Sequence, residues 1–275
     1  MNIKDAILIY QNNGYEYADA ESKVSQDIVL SKIGNSKYKS NITIKGGVVM
    51  HNMSNDIRRA TRDLDIDFIK YSLEDESIRN FVSSLNNDKD NIKIEIVGNI
   101  TPLHHQDYDG KRVHIRISDN YGNNINTKLD IGVHKLFELE QEEYCFDLSL
   151  INKEVNLLIN SKEQIFVEKL KSLLKLGFVS TRYKDIFDFY YLINISKLNM
   201  KKLLKNIEIL IFNDDTMREN NIDDILNRLN NTLKSRRYVN HLNDPVVNWL
   251  DIPIEDAINS LLKYIEQLSK EKVEV

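Results

Sequence analysis

Apolar and polar residues alternate with two different periods along this chain. A period of two predicts strands at 42–44, 63–69, 92–100, 112–118, 125–133, 143–150 and 154–159. Helical spacing in the same part predicts helices at 21–34, 48–57 and 72–86. From Ser161 the spacing is helical almost to the C-terminus, with helices predicted at 161–176, 182–196, 199–212, 222–234 and 254–271. The pattern therefore predicts an α+β domain at 1–160 and an all-helical domain at 161–275.

Residues that begin and end helices support this boundary. Ser161 and Gln164 form a capping-box signature at the start of the helical part. Gly177 is a natural C-terminal stop for the same helix, as Gly34 is for the helix at 21–34.

The most informative stretch joins a glycine pair to a run of alternating carboxylates. Gly46-Gly47 follows a short predicted strand, and the free backbone N–H groups of a helix that begins there suit a phosphate. On the next predicted strand, a period of two places Asp63, Asp65 and Asp67 on one face. These like charges repel each other, so a divalent cation would stabilise them, and oxygen-only ligands suit Mg²⁺ or Mn²⁺. Metal and phosphate together suggest chemistry on a nucleotide.

A second strand supplies a further carboxylate. Asp130 lies in the middle of the strand at 125–133, with Lys128 two residues earlier on the same face. Two acids at i and i+2 can face one ion, and a third usually comes from a neighbouring strand. Lys128 would contact a phosphate or neutralise one of the aspartates. An isolated pair of acids would indicate a solvated edge strand, but the glycine pair and Asp130 favour a functional site.

The same carboxylates also match part of a calcium-binding EF-hand loop. The run from Asp63 to Glu74 has acids at loop positions 1, 3, 5 and 12. Position 6 is Phe68, where the loop needs glycine for its sharp turn. We therefore interpret the run as a strand.

A second group of charged residues lies on predicted helices. Glu168 and Lys169 are early in one amphipathic helix, and Arg182, Asp185 and Asp188 share roughly one face of the next. Asp188 forms either a salt bridge between helices or part of a site, and the sequence leaves both open.

Charge is balanced globally but not locally. The chain has 37 basic and 42 acidic residues, so net charge does not indicate a nucleic-acid-binding protein. Residues 161–205, however, contain ten basic and four acidic residues. A second basic stretch consists of Arg228, Lys234, Arg236 and Arg237. Each stretch is either a solvated helix face or a surface that binds a polyanion.

Other features indicate a cytoplasmic protein. Cys145 is the single cysteine, which excludes an intramolecular disulfide, and we expect it to be a buried small hydrophobe. The N-terminus lacks the apolar run and cleavage site of a signal peptide, and no run of about 18 apolar residues predicts a membrane span.

Two adjacent histidines could mimic a metal site. His104-His105 stand near Asp107 and Asp109. The flanking Pro102 and Gly110 favour an exposed turn instead.

Four motifs occur in a fixed order over about residues 20–195: KGGVVM, RATRDLDIDF, KLDIG, and VEKLKSLL paired with RYKDIFDFYYL. In these motifs the chain resembles the AbiEii/AbiGii-type nucleotidyltransferase toxins, a branch of the DNA polymerase β-like superfamily. That family is found in bacterial abortive-infection (phage-defence) and toxin–antitoxin systems. The resemblance implies a polymerase β-like domain with a mixed sheet at 1–160, and a helical domain at 161–275 that completes the active-site cleft.

The resemblance also implies roles for individual residues. Gly46 and Gly47 would bind the triphosphate, with Lys128, Lys169, Arg182 and Lys184 as further nucleotide-binding residues. Asp63, Asp65 and Asp130 would hold the metal. The catalytic set would be Asp63, Asp65, Asp130, Lys169 and Asp185. Asp67 is not part of the family's pair. The superfamily often has Gly-Ser where this chain has Gly46-Gly47, so a hydroxyl contact to phosphate is missing.

Together these features predict a magnesium- or manganese-dependent nucleotidyltransferase that transfers NMP from an NTP. By resemblance the acceptor would be RNA, such as a tRNA 3′ end, and the protein a toxin with a separately encoded antitoxin. Two alternatives use the same residues: an NTP-dependent phosphotransferase, and a binding module without turnover. The presence of all three aspartates argues against the second alternative.

Overall fold

The computed structural model describes residues 1–87, 91–103, 110–148, 150 and 153–271. The chain forms two compact units, Met1–Asn160 and Ser161–Val275. In the described ranges, every strand belongs to the first unit and the second is helical, so the predicted α+β architecture is confirmed. The pair His104-His105, with Asp107 and Asp109, lies outside the described residues.

The first unit contains helices and one mixed sheet. Its helices are α1 (Ile3–Asn12), α2 (Tyr17–Gly34), α3 (Gly46–Ser54) and α4 (Asp75–Ser84). Its strands are β1 (Ile42–Lys45), β2 (Leu64–Phe68), β3 (Ile92–Ile96), β4 (Thr101–Pro102), β5 (Lys111–Asp119), β6 (Asn124–Val133), β7 (Gln141–Leu148) and β8 (Lys153–Asn160). The single strand predicted at 92–100 is thus two short strands, and the helix predicted at 48–57 begins earlier, at the first glycine of the pair. The expectation that Cys145 is buried was wrong, because its side chain on β7 is exposed.

The sheet has the order β3-β5-β6-β2-β1-β8-β7, with β4 paired to β5. The pairs β1–β8 and β2–β6 are parallel, and the other pairs are antiparallel. Because side chains alternate along a strand, one face of the central strands is apolar, with Ile44, Ile66, Leu129 and Ile131 all buried. The opposite face of the same strands therefore carries the carboxylates.

The second unit consists of α5 (Lys162–Leu176), α6 (Lys184–Tyr190), α7 (Met200–Ile207), α8 (Ile222–Leu233), α9 (Arg236–Leu242) and α10 (Ile254–Glu271). The predicted cap is present, since the Ser161 hydroxyl accepts a hydrogen bond from the backbone N–H of Gln164 at 3.2 Å. Gly177 follows the last residue of α5, as predicted, and has φ +56°. The short helix α9 was not predicted. None of the described helices combines the length and the apolar character that a membrane span needs.

One buried carboxylate anchors the hairpin that joins β5 to β6. Asp119 accepts hydrogen bonds from the backbone N–H groups of Tyr121 and Asn123, both at 2.9 Å, which closes the turn. Its other oxygen accepts from the Ile3 N–H at 2.8 Å and from the Asn123 amide at 2.9 Å. Burial raises the pKa of Asp119, but these hydrogen bonds outweigh burial and leave the pKa below its usual value.

We expect Asp119→Ala to lower the free energy of unfolding by about 1–3 kcal/mol, because the buried N–H of Ile3 and the part-buried donors of Tyr121 and Asn123 lose a charged acceptor. Since the folded-state pKa is lowered, the stabilisation is present above the ordinary carboxyl pKa of about 4 and is lost as the pH falls through the folded-state value. Urea unfolding of the unmodified chain and of Asp119→Ala at several pH values measures the difference in their free energies of unfolding. A gap that stays constant down to strongly acidic pH would contradict the assignment.

Candidate active site

Strand register brings the predicted carboxylates together on the polar face of the sheet. In the parallel pair β2–β6, Asp65 stands opposite Asp130. In the antiparallel pair β1–β2, Lys45 stands opposite Asp65. Asp63 immediately precedes β2 and shares the face of Asp65 because the period is two. The sheet thus places three acids from two strands beside the end of β1, where the glycine pair begins.

Two of these aspartates, Asp63 and Asp130, lie at ion-pair distance from a cationic side chain. Lys128 Nζ lies 2.8 Å from Asp63 Oδ1. The Arg112 guanidinium donates to both carboxylate oxygens of Asp130, with each N–O distance 2.7 Å. This fork-to-fork geometry is the strongest form of an ion pair between side chains.

The charges of all three aspartates act on Arg112. The hydrogen bonds to Asp130 raise the pKa of Arg112; burial opposes this effect, and the charges of Asp130, Asp63 and Asp65 add to it. Three carboxylates therefore contribute to the potential at one guanidinium.

Asp67, which is outside the family's metal pair, has a structural partner. Its side chain is buried, and Lys45 Nζ lies 2.7 Å from Asp67 Oδ1. Lys45 is itself buried. The ion pair joins β1 to β2 directly before the glycine turn, so Asp67 holds the lysine that leads into that turn.

Arg112 and Lys45 are charged residues of this face that the sequence analysis missed. A signal existed for each. Arg112 begins an alternating Arg-Val-His-Ile-Arg run on the strand next to the Lys-Leu-Asp motif, and Lys45 directly precedes the glycine pair.

The two glycines are required by two different close approaches. Gly46 has φ +68°, and a Cβ there would come 2.6 Å from Asp65 Oδ2. A Cβ on Gly47 would come 2.6 Å from the Thr61 hydroxyl oxygen. Any side chain at either position would push into the carboxylate or the loop before β2.

The glycine turn is also the N-terminus of α3. Within the described part of the chain, no side chain caps this end of the helix. The first-turn N–H groups of an α-helix have no partner inside the helix, and the helix dipole adds partial positive charge there. This end of α3 is therefore suited to an anionic group, as the sequence predicted.

Buried polar contacts hold α3 and the loop before β2 in place. The Tyr15 hydroxyl lies 3.0 Å from Nε2 of His51, a buried residue of α3. Burial, followed by the charges of Lys23 and Arg59, lowers the pKa of His51 to about 4, so His51 is neutral at pH 7. From α2, Gln26 donates to the Thr61 carbonyl at 2.8 Å.

The helical unit contains a separate buried charge cluster. Lys169 Nζ lies 2.5 Å from Asp185 Oδ1 and 2.9 Å from Asp188 Oδ2. The Arg182 guanidinium donates to the other oxygen of Asp185 at 2.8 Å, and the Trp249 indole donates to Asp188 at 3.1 Å. Lys169, Asp185 and Asp188 are each less than one-tenth exposed.

The cluster contains three residues that the sequence assigned to the site and two, Asp188 and Trp249, that it did not. Lys169, Asp185 and Arg182 are in contact, while Lys184 begins α6 beside Asp185. Asp188 forms the salt bridge between helices that the sequence allowed, because Lys169 belongs to α5 and Asp188 to α6.

The donor set of the sheet has the chemistry of a magnesium site. Asp63, Asp65 and Asp130 supply only carboxylate oxygens, which Mg²⁺ and Mn²⁺ prefer. Among the described residues, no three side chains of His, Cys, Asp or Glu are grouped closely enough to hold an ion as they stand. Lys128 and Arg112 occupy carboxylates of this set, so an ion would take the place of these cations.

We expect Gly46→Ala to destabilise the protein by more than the strain of its backbone conformation alone. An alanine at positive φ costs about 1–2 kcal/mol, and the contact with Asp65 adds about 1–3 kcal/mol. Gly98→Ala is the matched control, because Gly98 has φ +75° but open space around its Cβ position. Urea unfolding of both variants separates the two terms, and equal losses would show that Asp65 does not constrain this position.

We expect Lys169→Met to lower the free energy of unfolding by about 3–5 kcal/mol, because it leaves Asp185 and Asp188 buried without their shared cation. Adding Asp188→Asn to this variant removes one of the two buried charges and should restore part of the loss. Denaturation of the single and double variants measures this coupling. If the second substitution adds to the damage, Lys169 does not compensate Asp188.

Comparison with known proteins relates this arrangement to one family. A family model described as nucleotidyl transferase AbiEii toxin, type IV TA system, matches residues 28–258. No curated protein sequence matches the chain. Among solved structures, the chain is similar to MenT4, a nucleotidyltransferase toxin from Mycobacterium tuberculosis H37Rv, with a TM-score of 0.54 and 12% identity. That match covers 98% of this chain and 97% of MenT4, and at this identity it concerns the fold. Since the family model spans most of the chain, the protein belongs to the AbiEii family of nucleotidyltransferase toxins of type IV toxin–antitoxin systems.

Proposed function

We propose that this toxin transfers NMP from a nucleoside triphosphate to a 3′ hydroxyl of RNA, such as the end of a tRNA, in a magnesium-dependent reaction. The observation that carries the proposal is the register of β2 and β6, which sets Asp65 beside Asp130 next to the Gly46 turn. Carboxylates next to an uncapped helix N-terminus provide a place for a metal ion and a place for phosphate within one polar surface.

In this proposal, Asp63, Asp65 and Asp130 hold the metal. When bound, the ion offsets the charge of the phosphates and lowers the pKa of the attacking hydroxyl. The first-turn N–H groups of Gly46 and Gly47 bind the triphosphate, and Lys128 supplies a positive charge on the same face.

The chemical step is an in-line substitution at the α-phosphorus. The acceptor oxygen forms a bond to phosphorus while the bond to the bridging α–β oxygen breaks, and pyrophosphate leaves with that electron pair. Asp130 orients the acceptor hydroxyl and accepts its proton.

Arg112 has a place in this step because it bonds both oxygens of Asp130. Each of these bonds uses one lone pair of an Asp130 oxygen, and opening one of them would free that oxygen for a hydroxyl. The triphosphate is the competing anion, since a guanidinium binds phosphate as well as carboxylate in bidentate geometry. We therefore propose that nucleotide binding draws Arg112 from Asp130 and releases the carboxylate for the reaction.

The residues of the helical unit are assigned through the family motifs. The motifs assign Lys169 to the phosphates, but its ammonium is buried between Asp185 and Asp188, so in our proposal it positions Asp185, while Arg182 and Lys184 bind the nucleotide. Arg182 supports a binding role because half of its side chain is exposed, while its contact with Asp185 holds the guanidinium in place. The protein's partner would be a separately encoded antitoxin.

We expect Asp63→Ala and Asp65→Ala each to reduce nucleotide transfer by at least about a hundredfold, since each removes charge stabilisation of several kcal/mol. The measurement uses each α-labelled NTP with Mg²⁺ and total cellular RNA, followed by a denaturing gel. Asp223→Ala, an exposed acid in the first turn of α8, is the control and should retain activity.

The product identifies the bond that breaks. Pyrophosphate release with label in RNA supports the proposal, whereas a nucleoside diphosphate would indicate transfer of the γ-phosphate instead. Undiminished labelling by the Asp63 and Asp65 variants would overturn the proposed mechanism.

A further inference from the structure

A cationic segment without acids lies in the helical unit, beyond the region in which the motifs were recognised. Residues 225–243 contain Arg228, Lys234, Arg236 and Arg237 and no aspartate or glutamate. We call this stretch the cationic segment. It covers most of α8, the link to α9, and all of α9.

Three of its charges are exposed and unneutralised. The side chains of Lys234, Arg236 and Arg237 are exposed, and none forms an ion pair or a hydrogen bond with the described part of the chain. In the same unit, Lys169 and Lys171 each lie beside an aspartate. A positive surface that the protein does not neutralise attracts an anionic partner.

An aromatic stack borders these charges. The exposed ring of His241 stacks on Tyr183, with ring centroids 4.7 Å apart and an interplanar angle of 25°. Tyr183 in turn packs against the fully buried ring of Tyr238, with centroids 5.2 Å apart. His241 is therefore the outer member of a supported stack, and Arg237 lies one helical turn before it on the same face of α9.

The stack also connects the cationic segment to the last family motif. Tyr183 stands between Arg182 and Lys184, the two residues assigned to the nucleotide. The contact between Tyr183 and His241 therefore makes the exposed face of α9 continuous with the segment that carries Asp185.

We propose that the cationic segment docks single-stranded RNA, with Lys234, Arg236 and Arg237 on its phosphates and a nucleobase stacked on His241. A positive surface beside an exposed, supported ring is the combination by which proteins bind single strands without reading their sequence. An acidic protein segment could pair with the charges, but its carboxylates would not stack on the His241 ring. The inference rests on the proposed function in one respect, because the docked RNA would be the acceptor.

The test measures binding of a short fluorescein-labelled single-stranded RNA to the full chain by anisotropy, without NTP, over a series of salt concentrations. The variant is Lys234→Gln/Arg236→Gln/Arg237→Gln. We expect its affinity at low salt to fall by about tenfold or more, and its slope of log K against log salt to decrease by about 2, because each lost phosphate contact removes about 0.7. His241→Ala should weaken binding by about fivefold or more through lost stacking.

The matched control removes the same number of charges elsewhere in the helical unit. Lys197, Lys201 and Lys205 are also exposed, and Lys197→Gln/Lys201→Gln/Lys205→Gln should leave the affinity nearly unchanged. If the two triple variants bind RNA equally well, the cationic segment is not the docking surface. Competition by polyglutamate as effective as that by unlabelled RNA would also overturn the proposal, in favour of an acidic protein partner.

Failure of this proposal can be told apart from failure of the proposed transfer. Asp63→Ala and Asp65→Ala should retain RNA binding, because they lie outside the cationic segment. Loss of binding only in the variants of the cationic segment supports the docking surface whatever the labelled-NTP assay shows. Transfer that depends on Asp63 and Asp65 stands even if the variants of the cationic segment bind RNA normally.

Discussion

The parallel register of β2 and β6 is the constraint on which the candidate site depends. It sets Asp65 directly beside Asp130, two like charges that folding would otherwise keep apart. A shift of β2 by one residue would turn Asp65 into the apolar face and expose Leu64. The apolar face therefore enforces the placement of the charges, because Leu64 pairs with Leu129 in the same register and both are buried.

Cations from neighbouring strands make this placement tolerable. The pairs differ in environment, since the Asp63 side chain is about half exposed (49%) whereas that of Asp130 is only 5% exposed. Surface ion pairs contribute little free energy, whereas a buried carboxylate that loses its partner is strongly destabilising. The pair of Arg112 with Asp130 therefore contributes more to stability than the pair of Lys128 with Asp63. The buried cluster of the helical unit follows the same rule, with one lysine shared by Asp185 and Asp188.

The glycine turn adds a steric requirement to the electrostatic one. Gly46 brings the backbone so close to Asp65 that a methyl group would collide with the carboxylate. The turn from β1 into α3 therefore leaves no room for a side chain beside Asp65 of β2. The Lys45–Asp67 ion pair reinforces the same junction, which explains why an aspartate outside the family's metal pair is buried there.

Much of the architecture and of the site could be predicted from sequence. The period of two located β2 and β6 and put Asp63 and Asp65 on one face, because alternation is a local property of a strand. The capping signature at Ser161 and the stop at Gly177 located the ends of α5 for the same reason. The short helix α9 escaped prediction, since a seven-residue helix takes its stability from packing of Tyr238 and Leu242 more than from its own pattern. Strand order and register could not be predicted from the sequence, and neither could the pairing of Asp65 and Arg112 with Asp130 that depends on them. The stacking of His241 on Tyr183 was not predicted either. These contacts join residues far apart in the chain, so local periodicity determined which residues could meet on a face, and only tertiary packing decided which of them did.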